Sequence, residues 1–135
     1  MYLSKEDKKI IIDFLKNKLK PKLIYLFGSF AKGEGRGESD VDLAILIEEN
    51  ISPYDLYTIS NALSDKLKKD VQIVNLKEID TVFAAQIVGN REELYCIDEN
   101  YAAGYNIRVF KNYAKLNEER QIIIDAIERD GRIYD

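Results

Sequence analysis

Residues 28–42 read Gly-Ser-Phe-Ala-Lys-Gly-Glu-Gly-Arg-Gly-Glu-Ser-Asp-Val-Asp, and this stretch decides the fold. An apolar run, 23–27, precedes it and another, 43–47, follows it. Apolar runs of about four to eight residues bounded by turn residues are typical of buried strands. The sequence therefore predicts a strand that ends in a Gly-Ser turn, a glycine-rich loop, and a second strand that begins with two carboxylates.

The two carboxylates, Asp40 and Asp42, predict a metal site. They are two residues apart, so on an extended chain their side chains leave the same face. Adjacent carboxylates repel each other unless a cation lies between them, and oxygen ligands favour Mg²⁺ or Mn²⁺. We predict that Asp40 and Asp42 bind the metal, while the backbone at Gly28 and the hydroxyl and amide of Ser29 bind a phosphate.

Each of these residues also has an ordinary structural interpretation. Asp40 taken alone is typical of a turn or a helix cap, and Gly28 taken alone of a plain turn. Their joint spacing between two strands favours the functional interpretation. The glycines at 33, 35 and 37 are expected to keep the connecting loop permissive.

Composition narrows the classes of function. The absence of histidine excludes histidine-dependent triads, histidine metal sites and imidazole acid–base chemistry. A net charge of −4 disfavours a protein that grips nucleic acid, so we expect no direct nucleic-acid binding, and we assign the lysine clusters at 16–22 and 66–69 to helix ends. No apolar run has membrane-spanning length and the start lacks a signal core, which favours a cytoplasmic protein without membrane contact. Cys96 is expected to be a buried small hydrophobe.

Hydrophobic periodicity predicts one α/β domain over residues 1–135. The expected elements are a helix capped by Ser4 and ending near Lys20, a strand at Leu23–Phe27, a short helix at 29–32, a strand at Val41–Ile47, a helix opened by Ser52-Pro53, a strand at Val71–Leu76, a helix at Ile79–Val88, a strand at Glu93–Ile97 and a long helix at about Glu99–Arg129. The apolar stripe of the long helix is expected to comprise Tyr101, Tyr105, Val109, Tyr113, Leu116, Ile123 and Ile127.

Gly-Ser, ten residues and Asp-x-Asp together resemble the signature of the nucleotidyltransferase superfamily that includes DNA polymerase β. The small size and the Tyr-Leu-Phe-Gly-Ser opening at 25–29 resemble its minimal nucleotidyltransferases (MNT) in particular. Segments 71–76, 81–88 and 119–125 are similar to the MntA-type antitoxins, which are encoded beside a HEPN-domain ribonuclease toxin. The resemblance implies a small mixed sheet flanked by helices, with a long C-terminal helix.

The resemblance also implies a reaction. Such antitoxins inactivate the toxin by transferring AMP from ATP to a tyrosine near the active site of the toxin. Nucleotidyl transfer is attack of a hydroxyl on the α-phosphorus, and two Mg²⁺ ions about 3.5–4 Å apart can activate the attacking oxygen and stabilise the leaving one. Asp40 and Asp42 are then the catalytic metal ligands, and Gly28 and Ser29 bind the nucleotide.

One departure from the family pattern concerns the third carboxylate, which the family usually carries on the next strand. Gln72 occupies that position here, and an amide is neither a base nor a full-strength metal ligand. Asp70, two residues earlier, either substitutes for it or is a solvated residue. Loss of a base commonly costs a factor of about 10²–10⁴, so slow transfer remains compatible with the sequence.

Three functions are therefore considered. The favoured one is an enzyme that adenylylates a HEPN toxin. The Gln72 departure motivates a second, an antitoxin that acts by complex formation alone. The third, nucleotidyl transfer to a small molecule, is disfavoured because no second domain closes an acceptor pocket. The acceptor partner could dock on Tyr101, Tyr105 and Tyr113, although each of these tyrosines alone is more typical of core packing.

Overall fold

A computed structural model describes residues 1–130 of the chain, without the side chain of Asp130. In chain order the elements are α1 Lys5–Leu19, β1 Leu23–Phe27, β2 Val41–Leu46, α2 Pro53–Leu67, β3 Val71–Asn75, α3 Thr81–Gly89, β4 Glu92–Cys96 and α4 Glu99–Asp130. The predicted single domain extends to residues 131–135, which lie outside the described residues, so its extent stays a prediction.

Side-chain caps determine where three of the helices begin. The hydroxyls of Ser4 and Ser52 each accept a hydrogen bond of 3.0 Å from the amide three residues further on. Asp80 does the same for the amide of Phe83 at 2.7 Å. Each cap satisfies one of the amides that a first helical turn leaves unpaired. The predicted starts of α1 and α2 are confirmed, and α3 begins at Thr81 because Asp80 caps it.

The four strands form one mixed sheet in the order β3-β2-β1-β4. Strand β1 is antiparallel to both β2 and β4, whereas β2 and β3 are parallel. In this register Asp42 lies opposite Phe27 on one side and Gln72 on the other. The end of β1 and the starts of β2 and β3 therefore lie together at one end of the strands, where the predicted site residues lie.

Helices cover both faces of the sheet. On one face, α1 and α2 contribute residues such as Ile11 and Leu63 to a core that includes Ile24 and Leu43. On the other face, α3 and α4 pack against alternate strand residues such as Tyr25. Because strand side chains alternate between faces, Asp42 points to the α3 and α4 side. The predicted α/β fold, a mixed sheet flanked by helices, is confirmed.

A buried hydrogen bond connects β1 to α4. The Tyr25 hydroxyl donates to Oδ1 of Asn106 at 2.7 Å, and the Tyr25 side chain is fully buried. Burial raises the pKa of Tyr25 above its ordinary value of 10.0, so the phenol remains a donor at neutral pH. The bond holds the long helix against the centre of the sheet.

The long helix follows its predicted stripe in its first half only. The three stripe tyrosines, Tyr101, Tyr105 and Tyr113, are half-buried against the core of the α3 and α4 face, which confirms that they pack on the core. Ile123 and Ile127 are 59% and 62% exposed, so the prediction that they pack was wrong. The helix has 32 residues and is therefore about 48 Å long, whereas the five-residue strands span about 17 Å.

The surface lysines behave as helix-end residues. Lys16 and Lys18 lie in the last turn of α1 and Lys66 in the last turn of α2, where cations oppose the negative end of the helix dipole. Lys22 forms an ion pair with Glu48 at 3.2 Å. Among residues 1–130, no helix combines the length and apolar character that crossing a membrane requires.

The hydrogen bond between Tyr25 and Asn106 should make a measurable contribution to the free energy of unfolding. Tyr25→Phe removes the donor and leaves the buried amide oxygen of Asn106 unpaired, so we expect a loss of about 1–3 kcal/mol in the free energy of unfolding. Urea denaturation followed by circular dichroism measures it. Tyr54→Phe, at a side chain that is 75% exposed, is the control and should leave the midpoint unchanged. Equal midpoints for both variants would contradict the role given to this bond.

Candidate active site

The site is built on a close contact between Gly28 and Asp42. Gly28 follows directly after β1 and has a φ of +76°, a conformation that side chains other than glycine rarely adopt. A Cβ atom at this position would overlap the carboxylate of Asp42. The missing side chain therefore lets the backbone of the turn lie against the carboxylate. Two of the sequence-predicted site residues are thus in direct contact.

The chain after Gly28 forms hydrogen-bonded turns rather than the predicted short helix at 29–32. The amide of Lys32 donates to the carbonyls of both Gly28 and Ser29, at 3.3 and 3.2 Å, and the amide of Glu34 donates to Ser29 at 2.9 Å. The turns curl around the buried Phe30 ring, which is 1% exposed and anchors the loop. The anchored ring explains why a glycine-rich segment keeps one path.

The loop glycines Gly33 and Gly35 differ in their roles. Gly33 has a φ of +77° and needs the permissive backbone that the sequence predicted. Gly35 has no such backbone and is buried, and a Cβ there would overlap the Phe30 ring. Its role is close packing, so the predicted permissive role was wrong for Gly35.

Asp40 and Asp42 are both half-buried at the start of β2. Burial first, and then the charge of Asp40, raise the pKa of Asp42 above its ordinary value of 3.8. The shift means that the folded protein disfavours two adjacent negative charges here. A cation between the carboxylates would relieve both the desolvation and the repulsion. Their oxygen-only donor set suits a hard divalent ion.

A cleft of about 400 Å³ opens beside Gly28 on the α3 side. Its walls include Lys32 and Asn90, together with Phe83, whose ring packs edge-on against Phe27 at 5.9 Å. The sequence interpretation did not single out Lys32. Its one signal, a lysine three residues after the Gly-Ser turn, is a single charge among many on this chain. The structure shows that this charge lies next to the predicted phosphate turn.

A second cleft, of about 520 Å³, opens between α2 and β3, and Asp40 lines it. Asp70 and Gln72 line the same cleft. Asp70 precedes β3, where its carbonyl accepts a hydrogen bond of 2.8 Å from the amide of Val41, and Gln72 lies beside Asp42. The structure therefore places Asp70 in the same cleft as Asp40, where it is exposed to solvent, and leaves Gln72 in the register position next to Asp42.

Cys96 lies away from these residues. It is paired with Leu23 at the start of β1, whereas Asp42 is paired with the end of that strand. The thiol is half-buried and donates to Oε1 of Glu99 at 3.2 Å. Burial and the neighbouring carboxylates raise the pKa of Cys96 to about 12, so the thiol is protonated and unreactive at neutral pH. The prediction of a buried cysteine was therefore wrong in its degree of burial, because the side chain is only half-buried.

A mixed sheet with Asp-x-Asp at the start of β2, packed against a Gly-Ser turn that ends β1, defines a nucleotidyltransferase fold of the polymerase β type. The chain belongs to that family: residues 9–100 match the family described as "Polymerase beta, Nucleotidyltransferase". The matched segment runs from α1 to the start of α4 and includes both acidic residues.

Individual relatives are more specific. Protein adenylyltransferase MntA of Shewanella oneidensis is 31% identical over 118 residues, which cover 87% of this chain and 84% of that protein. A toxin-antitoxin crystal structure with AMP-PNP contains a chain with a TM-score of 0.81 and 30% identity, covering 90% of this chain and 98% of that chain. An MNT antitoxin in complex with the tri-AMPylated HEPN toxin of S. oneidensis has a TM-score of 0.78 and 27% identity, with coverages of 93% and 99%. The resemblance to MntA-type antitoxins is confirmed.

The electrostatic strain at Asp42 predicts a stabilising substitution. The folded pKa of Asp42 lies above the unfolded value, so stability is lost as the pH rises through that folded pKa and this carboxyl ionises. Asp42→Asn removes the charge. At neutral pH and in the presence of a chelator, we expect this variant to melt a few degrees above the native protein.

Differential scanning calorimetry with and without Mg²⁺ measures the effect. Asp13→Asn, at an exposed position of α1, is the charge-matched control and should not change the melting temperature. Mg²⁺ should stabilise the native protein and the control but not Asp42→Asn. A lower melting temperature for Asp42→Asn in chelator would contradict this account of the pair.

Proposed function

We propose that this protein is an antitoxin nucleotidyltransferase that transfers AMP from ATP to a tyrosine of a cognate HEPN-domain ribonuclease toxin. The observation that supports the proposal is the contact of Asp42 with the backbone of Gly28, because a metal held by Asp42 would then lie beside a turn that could bind phosphate. Family membership and the adenylyltransferase MntA support it. We propose that the protein acts in the cytoplasm, where ATP and the ribonuclease are available to it.

The nucleotide would bind on the β1 side of the site. The backbone at Gly28 would bind the triphosphate, and the Ser29 hydroxyl makes no hydrogen bond within residues 1–130, so it can bond a phosphate oxygen. Lys32 adds a positive charge in the adjoining cleft. A cation near the β- and γ-phosphates would stabilise the charge that develops on pyrophosphate.

The acidic pair fits a divalent metal. Asp40 and Asp42 offer carboxylate oxygens on one face of β2, and burial together with the neighbouring charge of Asp40 raises the pKa of Asp42. We propose that they hold Mg²⁺, as two ions. When bound, the metal would supply charge that lowers the pKa of the acceptor hydroxyl and stabilises the leaving oxygen. The charge of the metal matters here because Gln72 lies beside Asp42, where the family usually carries a third carboxylate that can act as a base.

The reaction forms one bond and breaks another. The tyrosine oxygen would attack the α-phosphorus and lose its proton to solvent or a nearby base. The bond from the α-phosphorus to the bridging oxygen would break, and pyrophosphate would leave with the bonding electrons. The residues of this chain contribute by positioning and charge, which dominate such transfers.

The direct test is the intact mass of the co-expressed partner. With ATP and Mg²⁺, we expect the partner to gain the mass of one or more AMP groups. Replacing Asp40 and Asp42 together by Asn should remove the gain, because both metal ligands are lost. A partner that binds the native protein and never gains AMP would contradict the proposed enzyme.

A second candidate is an antitoxin that neutralises by complex formation alone. The position of Gln72 beside Asp42 favours it, because a carboxylate there would complete a stronger metal site. The two candidates differ in cells. If complex formation suffices, the Asp40/Asp42 double variant still protects against the toxin. If transfer is required, protection is lost with the AMP mass.

The Gln72 position also predicts a gain of activity. Gln72→Asp places a carboxylate opposite Asp42, and we expect the transfer rate to rise by about tenfold or more, since a base commonly contributes about 10²–10⁴. Single-turnover transfer of radiolabelled AMP measures it. Gln72→Asn is the control that keeps the amide and should not exceed the native rate. An unchanged rate for Gln72→Asp would mean that the native site does not lack a third carboxylate.

A further inference from the structure

The cleft beside Gly28 lies on the same face of the sheet as the Asp42 carboxylate. Phe27 lines this cleft, and in the sheet register it pairs with Asp42. Directly paired residues of antiparallel strands direct their side chains to the same face. That face is the one that α3 and α4 cover. A nucleotide held at Asp42 and on the Gly28 turn would therefore have this cleft as its neighbour.

The two walls of this cleft differ in charge. On the turn after β1, Lys32 is the one charged side chain that residues 1–130 contribute to the lining. On α3, the lining comprises Phe83, Gln86, Ile87 and the C-cap residue Asn90, which are all neutral. ATP divides in the same way, into an anionic triphosphate and a neutral aromatic base. The phosphates suit the lysine side of the cleft, whereas the base suits the wall that α3 forms.

We infer that Gln86 is the residue that recognises the adenine base of ATP. The inference rests on the proposed function and assigns the base specificity of its nucleotide substrate. Gln86 is exposed on α3 and lies three residues after Phe83, so the two side chains share one side of the helix. The side-chain amide of Gln86 makes no hydrogen bond within residues 1–130, so it can bond a ligand.

An amide distinguishes adenine from guanine at one edge of the purine. That edge of adenine presents the N6 amine, which is a donor, beside N7, which is an acceptor. The amide of a glutamine offers both a carbonyl oxygen and an amine, so it can bond the two atoms at once. Guanine presents O6 and N7, which are both acceptors, so the carbonyl oxygen of the amide is left without a partner. Gln86 therefore favours ATP over GTP.

The neighbouring side chains support a base in this position. The half-buried rings of Phe27 and Phe83 are 5.9 Å apart in an edge-to-face arrangement, and they offer apolar surface on which a planar base can pack. The side-chain amine of Asn90 donates to the backbone carbonyl of Gln86 at 2.9 Å, which leaves its Oδ1 as a second acceptor for the N6 amine. The cleft volume of about 400 Å³ is within the range of small-ligand sites.

Nucleotide binding tests this assignment without the protein partner. We expect calorimetry to show that the native protein binds a non-hydrolysable ATP analogue with Mg²⁺ about tenfold more tightly than the matching GTP analogue. Gln86→Ala should reduce this preference to about twofold or less, because the amide is lost. Gln86→Arg should reverse it, because arginine can donate to both O6 and N7 of guanine. Asn17→Ala and Asn17→Arg, at an exposed position of α1, are the controls and should keep the native preference.

A change of one atom in the nucleotide gives a second test. In the 7-deaza form of the ATP analogue a carbon replaces N7, so the acceptor for the amine of Gln86 is lost. The native protein should bind this form about fivefold more weakly than the ATP analogue, whereas Gln86→Ala should bind both alike. Inorganic tripolyphosphate with Mg²⁺ should bind equally to the native protein and to Gln86→Ala, because it has no base.

Transfer assays separate this inference from the function on which it rests. If the native protein prefers the ATP analogue through Gln86 but never adds AMP to the partner, the base assignment stands and the proposed function fails. If AMP is transferred while Gln86→Ala keeps the native preference, the function stands and the base assignment is overturned. A native protein that binds the two analogues alike would also overturn it. So would weaker binding of tripolyphosphate to Gln86→Ala, because Gln86 would then act on the phosphates.

Discussion

The absence of a side chain at Gly28 is the constraint on which the site depends. A β-carbon would occupy the place of the Asp42 carboxylate, so a tight turn and a half-buried acid can share this edge of the sheet only if the turn begins with glycine. The buried Phe30 ring keeps the following loop in place. The sheet register then adds Gln72 on the far side of Asp42. The Gly28 turn, the acidic residue Asp42 and Gln72 thus follow one another across three strands.

The fold places rigidity and exposure in different parts of the molecule. Both faces of the sheet are covered by helices, and the buried Tyr25–Asn106 bond ties α4 to the central strand. The acidic pair lies at the edge of this packed region, where burial is only partial and its charges repel. Such unfavourable electrostatics at a cleft are typical of functional sites, since a ligand of opposite charge can relieve them. This unfavourable electrostatic free energy is located where a metal and a nucleotide would bind.

Much of this arrangement could be predicted because it is local in the sequence. The turn at Gly28 and the pair at Asp40 and Asp42 lie within fifteen residues, between two apolar runs that read as strands. The remainder depends on distant segments. Lys32 lies in a cleft only because α3 forms the other wall, and Asp70 shares a cleft with Asp40 only because α2 packs beside β3. Periodicity wrongly predicted that the end of α4 is buried. A periodic pattern does not reveal that a helix is longer than the sheet on which it packs.

The most direct test of the central claim is a crystal structure of the protein with Mn²⁺ and a non-hydrolysable ATP analogue. The account predicts anomalous density within bonding distance of carboxylate oxygens of both Asp40 and Asp42, with the triphosphate lying on the Gly28-Ser29 turn. An ion bound elsewhere, or a nucleotide whose phosphates avoid that turn while the acidic pair has no metal, would contradict it.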